Sequence, residues 1–573
     1  MIWHTDFKAN VSHKNSSLLK KPPAAAAQNE KPEEENKKFK DLLKAYWQKY
    51  CEKSTIHGVR YIYDPTLRGI ERLIWTALVI TCVTLACIAY LILAERYSAK
   101  KLQTVVENSQ YPVFQIPFPA VAVCTHNRIN WEKFEQAKAE FLPPSADKTV
   151  LEVFTNFVER METLRFGRFD TFKEMQDINL EALDSIDVSK LARFMALRCE
   201  DIMVNDTCYW RKMKFQCCSR FVLERTEYGE CLVFNSELST ESAVIQKNLG
   251  KQFYPYHTSR AGQNTGLNFR LRINSKLKRP TSKAGDTITV LIKRPDQLSN
   301  PGYTITPETE TYFIVRPEIT DSDEDLHSLE PSKRNCYFED ESFLLEYKTN
   351  MSSKWMLNNC LNRCHEEHVR KYCNCTLSLF FLFSDDTVEQ CRPSHFRCLA
   401  KNNDIFSYDK RKEEDAYFSA AKPGMTCSCL IPCNSVEYFT SLTTLPLSDE
   451  ITNDTSVKVY KVDVHYQSEV LIQYRTSMEF TSIDLIANFG GIFGLCLGAS
   501  LVSAVELLYY ATFGFGLYLY DNNYFTVLKQ NLQTLRQKWT IGFKNSFKEE
   551  YEDGNAVKTA FLPKQPQHKD NRW

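Results

Sequence analysis

The chain has 573 residues, with 71 Lys and Arg against 71 Asp and Glu, so its formal net charge is zero. That balance argues against nucleic-acid binding by bulk charge, while 43% hydrophobic and 13% aromatic residues exclude global disorder. Twenty cysteines are too many for an ordinary cytosolic enzyme unless metals or exposed thiols account for them, although the negative mean hydropathy by itself suggests a soluble protein.

Residues 1–45 are polar, with Pro22-Pro23, an alanine tract and the charged run EKPEEENKK, and read as a disordered tail. From about Lys44 to Arg72 aromatic residues return, namely Tyr46, Trp47, Tyr50, Tyr61 and Tyr63 around His57-Gly58. Leu73 to Ala94 then runs without a charge. At 1.5 Å per residue it spans roughly 33 Å, enough to cross a hydrocarbon core of about 30 Å. Its length and the polar residues before it set it apart from a signal peptide. Between 95 and 483, the runs VFQIPFPAVAVC, TYFIVRP and VKVYKVDVHY predict strands, and the segments near 131–141 and 354–373 predict helices. The expected fold of this part is α+β, with no internal repeat. A second apolar segment runs from Leu485 to Val505 and, past Glu506, on to Tyr520. As one straight helix it would be about 54 Å long, so it must extend beyond the bilayer, bend or contain a non-helical break. The tail that follows is mostly polar, with a helical stretch expected around 525–540.

Two spans put both termini on one side. Lys529, Arg536 and Lys538 after the second span favour the cytoplasm for both. Sixteen of the twenty cysteines, Cys124 to Cys433, lie between the spans, leaving Cys51, Cys82, Cys87 and Cys496 outside that segment. A dense, even set reads as a disulfide framework in an oxidising compartment. The same segment carries glycosylation sequons at Asn205, Asn350, Asn374 and Asn453; the matches at Asn10 and Asn15 fall in the presumed cytoplasmic tail and read as chance. The predicted organisation is a cytoplasmic N-terminal segment 1–72, a first transmembrane helix 73–94, an extracellular cysteine-rich domain 95–483, a second transmembrane segment 484–520 and a cytoplasmic tail 521–573.

Motifs for catalysis are missing from the sequence. In His365-Glu366-Glu367-His368 the histidines stand three apart, whereas a zincin helix needs them four apart on one face. No phosphate-binding loop, nucleophile elbow or dinucleotide fingerprint occurs, so no enzyme, cofactor or metal is expected. Cys360, Cys364, Cys373 and Cys375 could in isolation form a zinc cluster, but sequons and topology favour disulfides. Single ectodomain histidines such as His257 and His465 read as solvated or satisfied residues. Gly490, Gly494 and Gly498 recur every four residues and share a helix face, which suits close helix packing. On a straight helix Gly498 and Ser500 would point about 200° apart. If Gly498-Ala499-Ser500 instead breaks the helix, its carbonyls and the Ser500 hydroxyl could ring a pore, because non-helical backbone in a bilayer needs protein or water to cover it. Glu506 is a candidate pore or inner-mouth acid; it faces an aqueous path or sits at the inner interface.

Phe118-Pro119-Ala120-Val121 with Cys124 and Asn127, Tyr228-Gly229-Glu230-Cys231 with Phe234-Asn235, the ten cysteines from Cys336 to Cys433, and Gly498-Ala499-Ser500 together resemble the epithelial sodium channel/degenerin family. The likeness spans about residues 50–520 and is closest in style to the insect pickpocket branch. Thr125 stands where the family usually has Asn after the cysteine, and Asn488 stands where some members have Asp. The resemblance implies disulfides Cys336–Cys433, Cys360–Cys429, Cys364–Cys427, Cys373–Cys398, Cys375–Cys391 and Cys124–Cys231, and leaves Cys199, Cys208, Cys217 and Cys218 unassigned. It implies a selectivity filter at Gly498, Ala499 and Ser500, and gating roles for His57, Gly58 and Ala487.

The same resemblance implies an acid-sensing-ion-channel-like homo- or heterotrimer in the plasma membrane, whose second spans line a sodium-selective, amiloride-sensitive pore gated by an extracellular stimulus. The alternative is a non-conducting accessory or receptor subunit that binds ligand or partners through its ectodomain. The two-span ATP-gated channels share the topology, but the Phe118 signature and the ten-cysteine block distinguish this chain from them.

Overall fold

The computed structural model describes residues 32–250, 252–298, 301–344, 357–381, 388–411, 417, 422–448 and 456–522. It divides into two compact units, one made of the residues up to Ala99 with those from Phe480 onward, the other of Lys100–Glu479. Asn350, Asn453, Asn10 and Asn15, and the helical stretch expected at 525–540, lie outside the described residues.

In the larger unit the hub is the strand Thr309–Ser322. Along one edge it pairs antiparallel with Ser435–Pro446, from Thr309 opposite Pro446 to Thr320 opposite Ser435. Its other edge is shared by two parallel strands, Val457–Tyr466 beside Thr309–Val315 and Val470–Met478 beside Glu318–Ser322. Leu102–Pro112 extends the sheet beyond Val470–Met478, and Leu267–Asn274 extends it beyond Val457–Tyr466. A five-stranded sheet runs in the order Phe221–Thr226, Gly229–Phe234, Ala120–Thr125, Ile288–Lys293, Gly302–Ile305. Its central strand Ala120–Thr125 is buried on both faces. Val121 and Val123 join the large aromatic core that includes Phe118, Phe234, Phe269 and Phe313, while Ala120, Ala122 and Cys124 pack into a smaller one. Period-two alternation thus feeds two cores from one strand.

The predicted strand over 113–124 is only half formed. Val113–Gln115 is a short 3-10 turn and the strand starts at Ala120. Pro112, Pro117 and Pro119 cannot donate to a ladder, and the Pro117 carbonyl is satisfied instead by the Tyr438 and Tyr466 hydroxyls at 2.6 and 2.9 Å. TYFIVRP lies inside the longer strand Thr309–Ser322, and VKVYKVDVHY is the strand Val457–Tyr466.

A second, helical core is built on Lys148–Met161, whose Phe154, Phe157, Val158 and Met161 fall three and four apart on one buried face. Eight disulfides brace the unit. Cys360 and Cys364, one turn apart on the helix Leu357–Cys373, bond to Cys429 and Cys427, two residues apart. The ladder closes because one helical turn and two extended residues both advance about 6 Å. Cys336–Cys433, Cys373–Cys398, Cys375–Cys391 and Cys124–Cys231 are also joined. The cysteines left unassigned by the sequence pair as Cys199–Cys218 and Cys208–Cys217. Sulfurs committed to disulfides are no longer zinc thiolates, which removes the alternative of a Cys360/Cys364/Cys373/Cys375 metal cluster.

In the smaller unit the helix Gly69–Ala99 is longer than the apolar stretch 73–94 at both ends. A further helix occupies Pro32–Lys53, so residues 32–45 are not the disordered tail that composition suggested. Pro32 at its first position suits a helix start, since its missing N–H is one of the unpaired donors there in any case.

Candidate pore and gating site

The second apolar segment contains the break that its excess length called for. A helix runs over Ser482–Leu497, opened by a capping box between Thr481 and Asp484. It stops at Gly498, which adopts the left-handed conformation at φ 60° and ψ 19°. Glycine carries that conformation without a Cβ penalty. Gly498 N–H and Ala499 N–H reach back to Gly494 O and Phe493 O at 2.9 and 3.3 Å. Ser500 then caps a new helix, Leu501–Tyr509, with its hydroxyl accepting from Ser503 N at 3.3 Å. The Ser500 carbonyl is taken up by Ala504 N. Among the described residues no hydrogen bond is made to the Gly498 or Ala499 carbonyl. The second span ends in a π-helical turn, Tyr510–Gly514, and the helix Phe515–Asp521.

The segment Thr55–Gly58 is folded against this break. His57 N–H donates to Leu497 O at 2.9 Å, and the His57 ring fills the space where a Cβ on residue 498 would stand. Two residues earlier, the Thr55 hydroxyl donates to Glu506 Oε2 at 2.6 Å and sits 2.9 Å from Ser503 Oγ. Gly58 is left-handed at φ 83°, and a Cβ there would strike Val79 of the first span at 2.7 Å. A histidine followed by a glycine is therefore a spatial requirement: the ring covers Gly498, and the bare Cα admits Val79. Farther along, Tyr46 donates its hydroxyl to Tyr510 O at 2.5 Å and packs on Phe515 and Tyr518, while Tyr50 packs on Tyr510.

The structure thus brings His57, Gly58, Gly498 and Glu506 into one cluster, with Ala499 and Ser500 in the same break. Ala487 lies elsewhere, exposed on the preceding helix, and Asn488 beside it donates to Asp484 O at 2.7 Å. Of the three glycines on one face, Gly490 has open space around it among the described residues, whereas Gly498 is covered by the His57 ring. Sequence reasoning missed Thr55 and Ser503. The pattern Ser500-x-x-Ser503 after a glycine was a readable helix start, but nothing in the order of residues says that Thr55 meets Glu506.

In the larger unit, Asn205 and Asn374 are exposed, the latter at φ 54°. His257 Nδ1 lies 2.9 Å from Phe114 O, and the buried His465 places its Nδ1 2.7 Å from Asp463 Oδ1. His365 is held between Glu227 and Asp409 at 2.8 Å each, with the Phe166 ring stacked on it. Burial alone would lower its pKa, but the two carboxylates outweigh burial and push it up to about 10.

Residues 50–510 match the model of the amiloride-sensitive sodium channel family. Pickpocket protein 19 of Drosophila melanogaster is 34% identical over 467 residues, covering 81% of this chain and 90% of the relative. Sodium channel protein Nach of Drosophila ananassae is 23% identical, with 82% and 86% covered. Acid-sensing ion channel 2 of Rattus norvegicus is 22% identical, with 81% and 85% covered. With its two apolar helices, its eight disulfides and a family match across most of its length, the chain belongs to the amiloride-sensitive sodium channel family of ion channels and fits the insect pickpocket branch.

Proposed function

We propose that the chain is a subunit of a sodium-selective, amiloride-sensitive cation channel, opened by a stimulus acting on the disulfide-braced ectodomain. Three copies, identical or related, would enclose the pore in the plasma membrane with both termini in the cytoplasm. The observation that carries this reading is the interruption at Gly498–Ser500, where two backbone carbonyls have no hydrogen-bond donor among the described residues inside an otherwise apolar helical segment. Such backbone is tolerated at membrane depth where it lines a water-filled path. Repeated around a threefold axis, the carbonyls of Gly498 and Ala499 and the Ser500 hydroxyl would replace part of a small cation's hydration shell.

Gating follows from what touches that break. The His57 ring and the His57–Leu497 bond brace the left-handed turn, so a shift of the Thr55–Gly58 segment would alter the filter's backbone. Glu506, held by Thr55, adds an acidic group on the inner side of the same turn. Movement of the ectodomain would reach these elements along the chain near Glu95 and Phe480.

Voltage clamp of cells expressing the chain, alone and with related subunits, tests the reading. Replacing the exposed Ala487 with Phe is expected to leave a standing inward sodium current, and Ser500→Ala to change the sodium, lithium and potassium permeability ratios. Absence of current in every combination would point to the accessory role. Unchanged ratios in a conducting channel would remove Ser500 from the filter.

A further inference from the structure

The loop after the strand Ala120–Thr125 carries a half-buried arginine, Arg128, two of whose guanidinium nitrogens find no acceptor among the described residues. Its backbone is tied down: the Thr125 hydroxyl donates to Asn127 O at 2.6 Å, Asn127 Nδ2 to Ile129 O at 2.9 Å, and Arg128 N–H to Glu162 O at 2.8 Å. The Arg128 side chain runs beside Gly229, whose missing Cβ would lie 3.8 Å from Arg128 Cδ. Nε and Nη1 of Arg128 are shielded from solvent and find no acceptor among the described residues. A buried charged donor left this way is costly, and native structures rarely keep one without reason.

Its surroundings deepen the imbalance. The half-buried Arg165 neighbours Arg128 and lies with its guanidinium 5.8 Å from the centre of the Tyr228 ring. Arg168 and Lys278 complete a group of like charges around the half-buried His126. The acids nearby are mostly committed: Glu162 to Ser282, Asp286 to Lys278, and Glu159 to Arg279 at 2.9 Å. Asp170 faces Arg165 from an exposed position. Burial, with Arg165, pushes the Arg128 guanidinium down to about 9, and burial with the four cations lowers His126. An anion beside Arg128 would offset this repulsion.

We propose that Arg128, with Arg165 and His126 at its side, forms a binding site for the carboxylate of an acidic extracellular ligand. A guanidinium matches a planar oxyanion better than a spherical halide, because its donors lie in one plane. The proposal rests on the reading of Lys100–Glu479 as the ectodomain.

Thermal unfolding of the purified full-length chain in detergent, followed by intrinsic fluorescence, tests it without any current. Sodium acetate and sodium chloride are titrated at equal total sodium. Acetate is expected to raise the unfolding temperature along a saturating curve with a lower midpoint than chloride. Arg128→Gln should move that midpoint up about tenfold or more, the loss of one charged hydrogen bond, with Arg128→Lys in between. Parallel responses of the parent chain and Arg128→Gln would overturn the site, and a chloride midpoint as low as acetate's would overturn the carboxylate assignment. If Arg128→Gln fails to fold, Arg165→Gln must still weaken the acetate response, and an unchanged midpoint there refutes the proposal. Because the readout is binding, a silent channel would leave this result standing.

Discussion

Replacing Gly498 with Ala probes the joint between the second span and the Thr55–Gly58 segment. Two costs arise from the structure. An alanine held at φ 60° is strained by about 1–2 kcal/mol. Its Cβ also overlaps the His57 ring, so the ring must leave and the His57–Leu497 hydrogen bond goes with it, for about 1 kcal/mol net. Together these shift the docking equilibrium by about 2–3 kcal/mol, or roughly 30- to 150-fold. Amide hydrogen exchange by mass spectrometry reads that equilibrium in the peptide containing residues 55–58, which should exchange faster by this factor in Gly498→Ala. Adding His57→Ala removes the ring and should return about 1 kcal/mol of the loss, leaving the backbone strain of about 1–2 kcal/mol. If exchange in this peptide is the same in the parent and Gly498→Ala, or if the two substitutions simply add, the ring does not brace the turn and the reasoning fails.

Thr55→Val deletes the donor to Glu506 at nearly constant volume and should destabilise docking by about 1.5–3 kcal/mol, whereas Thr55→Ser retains it; the same exchange measurement reports both. His365 has its pKa raised from 6.5 to about 10 by Glu227 and Asp409. Because the folded-state pKa is the higher one, its stabilisation is complete below about pH 6.5 and is lost as pH rises through about 10. Unfolding temperatures from pH 6 to 10.5 should therefore fall more steeply for the parent than for His365→Gln, and superimposable slopes would refute the clamp. Lys293 and Glu224 form a fully buried ion pair, with Lys293 Nζ also donating to Gln297 O at 2.7 Å. Lys293→Met should cost about 3–5 kcal/mol by stranding the carboxylate, and the double change with Glu224→Met should recover much of it in denaturant unfolding.

Features that depend on near neighbours in the chain were legible from the residues alone. An uncharged run of 22 residues declares a span because each residue adds a known rise. The 485–520 segment declared a break because a straight helix of that length has nowhere to go. Ten cysteines at family spacing implied their partners through resemblance, but Cys217 and Cys218 stood ambiguous because adjacent residues offer no local preference for one distant sulfur over another. The fold decided that point: the strand Cys208–Trp210 brings Cys208 to Cys217, and the short helix Cys199–Ile202 brings Cys199 to Cys218. Prolines redirected 113–119 away from the expected strand, since a missing N–H outweighs β propensity. The contacts that join the break at Gly498–Ser500 and the helix after it to the N-terminal segment are long-range in sequence: Thr55 to Glu506, His57 to Leu497, Tyr46 to Tyr510. Composition and periodicity describe faces and lengths, whereas these contacts need two distant segments to be brought within 3 Å. The same holds for Arg128, an unremarkable residue in a signature loop until packing shields its Nε and Nη1 from water and places it among charges of its own sign.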